Sequence, residues 1–181
     1  MIGKIVDRFK DLITSDSPTL AGTPPQGEFV KGINFGGEAV TIEGHLWDAY
    51  ETALAQGLSV PDATCISTHV KPTPAAPLEL RKMLNTVIYK RQQLDITQPL
   101  PNGSYNLYLW IMENYATDWH SLTLQIDSQP IATEIGKLAL GQWKRYGAYP
   151  ATVTDGKLQV SIVIANPELD AHLMGISLFK L

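Results

Sequence analysis

Ser104-Tyr105-Asn106-Leu107-Tyr108-Leu109-Trp110-Ile111-Met112-Glu113 is the stretch that decides the fold. An extended chain sends successive side chains to opposite faces. Tyr105, Leu107, Leu109 and Ile111 therefore share one face, and Asn106, Tyr108, Trp110 and Met112 share the other. This alternation, entered through the turn Pro101-Asn102-Gly103, reads as a β-strand. Both of its faces are apolar enough to need cover. Tyr108 and Trp110 are expected to lie beneath another part of the chain, because an exposed apolar patch of that kind usually marks a contact.

Working outward, the same pattern recurs. Phe29 to Phe35 alternates and is closed by Gly36-Gly37; Val40 and Ile42 precede Gly44. Gln92 to Ile96, His120 to Asp127 and Leu173 to Leu181 also read as strands, as does Met83 to Tyr89. Asp155-Gly156 separates Ala151–Thr154 from Lys157–Ile164 and is a dipeptide favoured in type I′ turns, so these two runs are expected to pair as a hairpin. Asp48 to Gln56 reads as a short helix or an alanine-rich loop, and Pro72, Pro74 and Pro77 as an irregular connection. Short strands without long intervening helices predict an all-β fold, an antiparallel β-sandwich or jelly roll.

The N-terminus is different. Ile2, Ile5, Val6, Phe9, Leu12 and Ile13 recur at helical spacing, with Lys4, Asp7, Arg8, Lys10 and Asp11 opposite them. The expected organisation is an amphipathic helix over 1–14, a Pro/Gly-rich linker over 15–27 and a sandwich domain over 28–181. A helix this short is marginal alone. It is expected to dock on its own domain or to join a homo-oligomer or partner protein.

Composition narrows the function. The 181 residues are 44% hydrophobic and 18% charged, which excludes a disordered chain. A net charge of −4, with basic residues grouped only as in Arg81-Lys82 and Lys90-Arg91, argues against nucleic acid as a partner. The lone Cys65 offers no intrachain disulfide and is expected to be a small buried residue. No apolar run approaches the roughly 18 residues of a membrane span. Charges interrupt the apolar positions of the N-terminus, so no leader is evident and a cytoplasmic protein is expected. Gly-x-Ser-x-Gly elbows, phosphate loops, His-Glu-x-x-His and cofactor motifs are missing, so the expectation is a binding protein without cofactor, not an enzyme.

Four stretches, taken in order, resemble the malectin-like carbohydrate-binding modules, within the galactose-binding-domain-like group of sandwiches. They are Ile33-Asn34-Phe35-Gly36-Gly37, Val87-Ile88-Tyr89-Lys90-Arg91, the run from Gly103 to Glu113, and Val153-Thr154-Asp155-Gly156-Lys157-Leu158. Ile42 to Trp47 and Gly141-Gln142-Trp143 add to the likeness with modules attached to bacterial polysaccharide-degrading enzymes. The resemblance covers residues 30–181 and implies a sandwich that binds sugar through loops at one end. It places Tyr89 and Tyr115 at aromatic positions of the family's site, while Ala116 stands where sugar-binding members carry a second aromatic.

The residues themselves suggest similar chemistry. Sugars stack C–H faces on aromatic rings while amides and charged groups fix their hydroxyls. Asn114, Tyr115, Asp118, Trp119 and His120 form one such cluster, and His45, Trp47, Asp48 and Tyr50 another. Glu113 joins the ligand-binding set, although accepting hydrogen bonds from loop backbone is the role expected of it. Glu113, Asp118 and His120 provide too few carboxylates for a calcium loop, so no metal is expected. The function read from the sequence is non-catalytic recognition of a glycan. The alternatives are a protein-assembly module working through the helix or, further off, a polysaccharide-active enzyme.

Overall fold

The computed structural model describes residues 23–181, so the expected helix and the first part of the linker lie outside the described residues. The order of elements is β1 (Glu28–Asn34), β2 (Val40–Ile42), β3 (His45–Ala49), α1 (Tyr50–Ala55), β4 (Thr64–Ser67), α2 (Leu78–Leu84), β5 (Thr86–Arg91), β6 (Gln93–Pro99), β7 (Gly103–Met112), β8 (Leu122–Ile126), β9 (Gln129–Ile135), β10 (Trp143–Val153), β11 (Lys157–Ile164), β12 (Asp170–Leu173) and β13 (Gly175–Lys180). A six-stranded sheet, β10-β7-β13-β1-β3-β2, faces a four-stranded sheet, β6-β11-β8-β9, and a three-stranded sheet, β12-β5-β4. Pairing between the named strands of the described residues is antiparallel except for a short parallel contact of Ile33 and Asn34 in β1 with Asp48 and Ala49 in β3. The two smaller sheets join at Gln92, whose left-handed backbone (φ 64°) kinks the chain. There its N–H donates to Leu169 O (3.0 Å) and its carbonyl accepts from Ile164 N (2.9 Å).

The Ser104–Glu113 pattern is realised as β7, hydrogen-bonded to β10 on one side and β13 on the other. Tyr105, Leu107, Leu109 and Ile111 enter the main core with Ile33, Leu94, Ile96, Leu124, Val160, Ile162 and Leu178. Trp110 and Met112 enter a second cluster with Val40, Ile42, Trp47, Leu80, Met83, Leu84 and Trp143. The expected cover for Trp110 therefore comes from the β2–β3 hairpin and α2. Trp47 meets its ring edge-on at 5.7 Å, and Trp143 stacks on it at 6.1 Å. Tyr108 is covered by the segment leading into β1: its hydroxyl accepts from Gln26 N (3.1 Å), and Asn106 Nδ2 donates to Gln26 O (3.3 Å). Arg145 anchors the same segment, donating to Thr23 O (2.8 Å) and to both Glu43 carboxylate oxygens (2.8 and 2.9 Å).

Three expectations are corrected. Met83 is not in a strand: Leu80, Met83 and Leu84 sit at i, i+3, i+4 on one face of α2, and extended chain begins at Thr86. Asp155-Gly156 does not close a hairpin ladder. β10 pairs with β7 while β11 pairs with β6 and β8, so the dipeptide carries the chain between sheets. Gly156 has φ 79° but Asp155 is not left-handed, whereas a type I′ turn needs both. That geometry occurs instead at Glu43-Gly44 (φ 52° and 79°) and Asp127-Ser128 (φ 49° and 66°), which close the β2–β3 and β8–β9 hairpins. Cys65 is exposed on β4, which among the described residues is an edge strand with no neighbour beyond it.

The β6–β7 and β10–β11 crossings lie side by side and share one side chain. Asn102 Nδ2 donates to Thr154 O (2.9 Å), and Asn102 Oδ1 accepts from Gly156 N (2.9 Å). Asn102→Ala removes both bonds at an exposed site, and urea unfolding is expected to show a loss of about 1 kcal/mol. An unchanged midpoint would mean that the two crossings hold independently.

Candidate functional site

The site is built on the three-stranded sheet, with β5 in its centre. Val87 pairs with Ile66 and Tyr89 with Thr64 across β4; on the other side Tyr89 pairs with His172 and Arg91 with Asp170. Directly opposed residues share a face. Ile66, Val87, Tyr89, Arg91, Asp170 and His172 therefore line one side, while Ile88, Ala171 and Leu173 enter the main core. The first face floors a cleft of about 290 Å³. Asn114, Tyr115, Trp119 and His120 wall one flank, and Glu168 and Leu169 the other.

Glu113, at the end of β7, holds the first wall. It is fully buried, and its Oε1 accepts from Tyr115 N (3.0 Å) and Ala116 N (3.3 Å). Oε2 accepts from His120 N (3.2 Å), and the His120 Nδ1 lies 2.9 Å from it. Burial pushes this carboxyl up. Hydrogen bonds from the His120 ring and the Tyr115 and His120 amides outweigh burial and leave it below the usual carboxylate range. The His120 ring in turn stacks on His172, centroid to centroid at 3.7 Å. Burial, reinforced by His120, holds the His172 imidazole well below its ordinary 6.5, and its Nε2 is buried without a hydrogen-bond partner. At the outer lip Tyr115 and Trp119 lie 4.8 Å apart and are 67% and 41% exposed, large values for such rings.

The structure brings Tyr89, Asn114, Tyr115 and Trp119 together as cleft-lining residues. Glu113 supports them from beneath, with no surface of its own. Asp118 is exposed on the same loop but does not line the cleft; its left-handed backbone (φ 56°) turns the loop, and its N–H donates to Leu138 O (2.8 Å). Trp47 and Tyr50 are corrected as ligand-binding candidates. Trp47 is 2% exposed and packs so closely on Gly32 that a Cβ there would overlap its ring. Tyr50 is buried against Phe35 in the main core, where burial, with the charges of Cys65 and Glu51, pushes its phenol up to about 12. Among the described residues no group of three His, Cys, Asp or Glu side chains is placed to hold a metal ion, and no helix is long and apolar enough to cross a membrane.

Sequence reasoning missed Glu168, Asp170 and His172, which carry no local signature and meet the rest of the cleft because β12 pairs with β5 across a long stretch of chain. Arg91 lies in a motif the sequence offers, but nothing local marks it as a cleft residue.

No family model and no curated protein matches the chain. Solved structures do match in fold. The plant receptor-like kinase FER superposes with a TM-score of 0.66 at 15% identity, over 83% of this chain and 42% of that one. The ANX2 ectodomain from Arabidopsis thaliana gives 0.65 at 14% identity, over 84% and 49%. A Bacteroides uniformis beta-glucuronidase gives 0.67 at 12% identity, over 83% of this chain but only 18% of the enzyme. The chain thus spans less than half of the receptor structures and one part of the glucuronidase. These likenesses show that the chain shares the β-sandwich fold of those domains. They also correct the cytoplasmic placement: the fold is that of receptor ectodomains, which lie outside the cell, and a charged N-terminal stretch gives no ground for placing this chain inside it.

Two buried groups make stability depend on pH. His172 stays neutral when folded and takes up a proton on unfolding below its ordinary 6.5, so stability falls as pH falls from there, by at most about 1.4 kcal/mol per pH unit. Glu113, with its folded value lowered from 4.5, contributes stability that is present above 4.5 and lost as pH drops through the folded value. Urea unfolding between pH 7 and 3 is expected to show both limbs. His172→Phe is expected to flatten the upper limb and leave the lower one.

Proposed function

We propose that this protein is a non-catalytic carbohydrate-binding module that acts outside the cell. The observation that carries the reading is the pair of exposed rings, Tyr115 and Trp119, held at the lip of a cleft whose lining offers amide, imidazole, guanidinium and carboxylate groups. Stacked C–H faces and hydrogen-bonded hydroxyls are the two demands of a sugar, and one loop on a rigid strand end supplies the first of them. Binding rather than hydrolysis is favoured because Glu113, the carboxylate behind His120, is consumed by loop amides and reaches no substrate. Arg91 and Asp170 are engaged with each other at 3.4 Å.

Calorimetry, guided by a glycan array, tests the proposal. Tyr115→Ala and Trp119→Ala are each expected to weaken binding about tenfold, equivalent to ~1.4 kcal/mol, without loss of fold. Trp47→Ala is expected to cost about 3–5 kcal/mol of stability instead, as for other buried aromatics. Silence across a broad array would overturn the reading.

A further inference from the structure

We propose that the loop carrying Tyr115 and Trp119 is an acid-sensitive latch, which lies closed over a neutral His172 and lifts when that imidazole takes up a proton. His172 stands on the cleft face of β12 and is 2% exposed. Its cover is the His120 ring, stacked on it at 3.7 Å with 17° between the planes. His120 is held there by Glu113, whose Oε2 accepts from its backbone N–H (3.2 Å) and lies 2.9 Å from its Nδ1. The other titratable groups about His172 offer it no ion pair. Tyr89 is its cross-strand partner on β5, Asp170 stands two residues away and faces Arg91 at 3.4 Å, and Glu168 lines the cleft from the β11–β12 connection. Among the described residues, His120 with Glu113 is the only close pairing of a histidine ring with a carboxylate. An imidazolium at His172 would thus be buried, unpaired and pressed against a second imidazole.

Relief needs only the loop. On the opposite face of β12, Ala171 and Leu173 stay in the main core, and the ladder to β5 does not involve the 114–119 loop. That loop is exposed along most of its length. Besides the bonds to Glu113 it is fastened by Asp118 N, which donates to Leu138 O (2.8 Å), and by Thr117 Oγ1, which accepts from Leu140 N (3.0 Å). Segments with few buried contacts open at well below the cost of global unfolding. With the loop lifted, His172 meets water and regains its ordinary affinity for a proton, so acid favours the open form. Burial and the His120 ring hold the closed-state value well below 6.5, so the closed form loses ground as pH falls below 6.5, by about tenfold per unit. Opening takes Tyr115 and Trp119 away from the cleft. Release of a bound sugar by this route rests on the carbohydrate reading above, whereas the opening itself does not.

The test is native-state amide hydrogen exchange on the full chain without ligand, so its outcome is separate from that of the glycan array. The informative amides are those of Tyr115, Ala116 and His120, which donate to Glu113. Corrected for intrinsic exchange, their opening constant is expected to rise about 25-fold between pH 7 and pH 5, above the range in which Glu113 titrates. Low urea is expected to leave that opening unchanged, because a lifted loop exposes little surface, while the amides of β7 stay better protected and respond to urea. His172→Phe, which keeps a ring beneath His120, is expected to abolish the pH response of the three loop amides. A flat response in the unaltered chain overturns the latch. So does equal protection and equal urea sensitivity of the loop and β7 amides, since His172 would then be uncovered only by global unfolding. Both of these outcomes are read on the unaltered chain, whatever the folding of the variant.

Discussion

The structure depends on a strand that is buried on both faces. β7 runs through the six-stranded sheet between β10 and β13, and from Tyr105 to Met112 every side chain is buried. A sandwich normally buries one face of each sheet. Here the inner face makes the main core, and the outer face requires a second one. That requirement recruits Trp47 from β3, Trp143 from β10, the apolar side of α2, and the Thr23–Gln26 segment over Tyr108. Three of the four tryptophans are committed to this second cluster, leaving Trp119 as the one offered to solvent.

The same strand ends in the residue that shapes the site. A carboxylate fully removed from water is costly unless its lone pairs are satisfied. Glu113 satisfies them with the Tyr115, Ala116 and His120 amides and the His120 ring. The loop must curl around the carboxylate to supply those donors, and curling turns Tyr115 and Trp119 outward while pressing His120 onto His172. Core and cleft are thus coupled through one side chain.

Half of the site was legible because it is local. Asn114, Tyr115 and Trp119 stand beside Glu113 in the sequence, and their mixture of ring and polar groups is visible without a fold. Trp47 and Tyr50 have the same mixture yet are buried, since a ring against a glycine or a phenylalanine looks in sequence like a ring on a loop. Met83 and Leu84 read as strand although they lie in α2, because a short apolar run fits period two and period 3.6 alike. Asp155-Gly156 shows the limit of turn chemistry. The dipeptide specifies a tight reversal, but β10 and β11 had stronger partners in opposite layers.

The sequence alone determined that this is a β-sandwich and that β7 needs cover on both sides, because alternation is a property of consecutive residues and hydrophobic burial follows from it directly. It also indicated that Glu113, a carboxylate in phase with core residues, has to find donors nearby, while leaving a place for it in the ligand-binding set. The tertiary structure alone decided which aromatics are free, where each turn leads, and how His172, Asp170, Glu168 and Arg91 meet the Tyr115–Trp119 loop. Those outcomes depend on strand pairing between segments far apart in the chain, which is settled by the global competition for partners rather than by any local pattern.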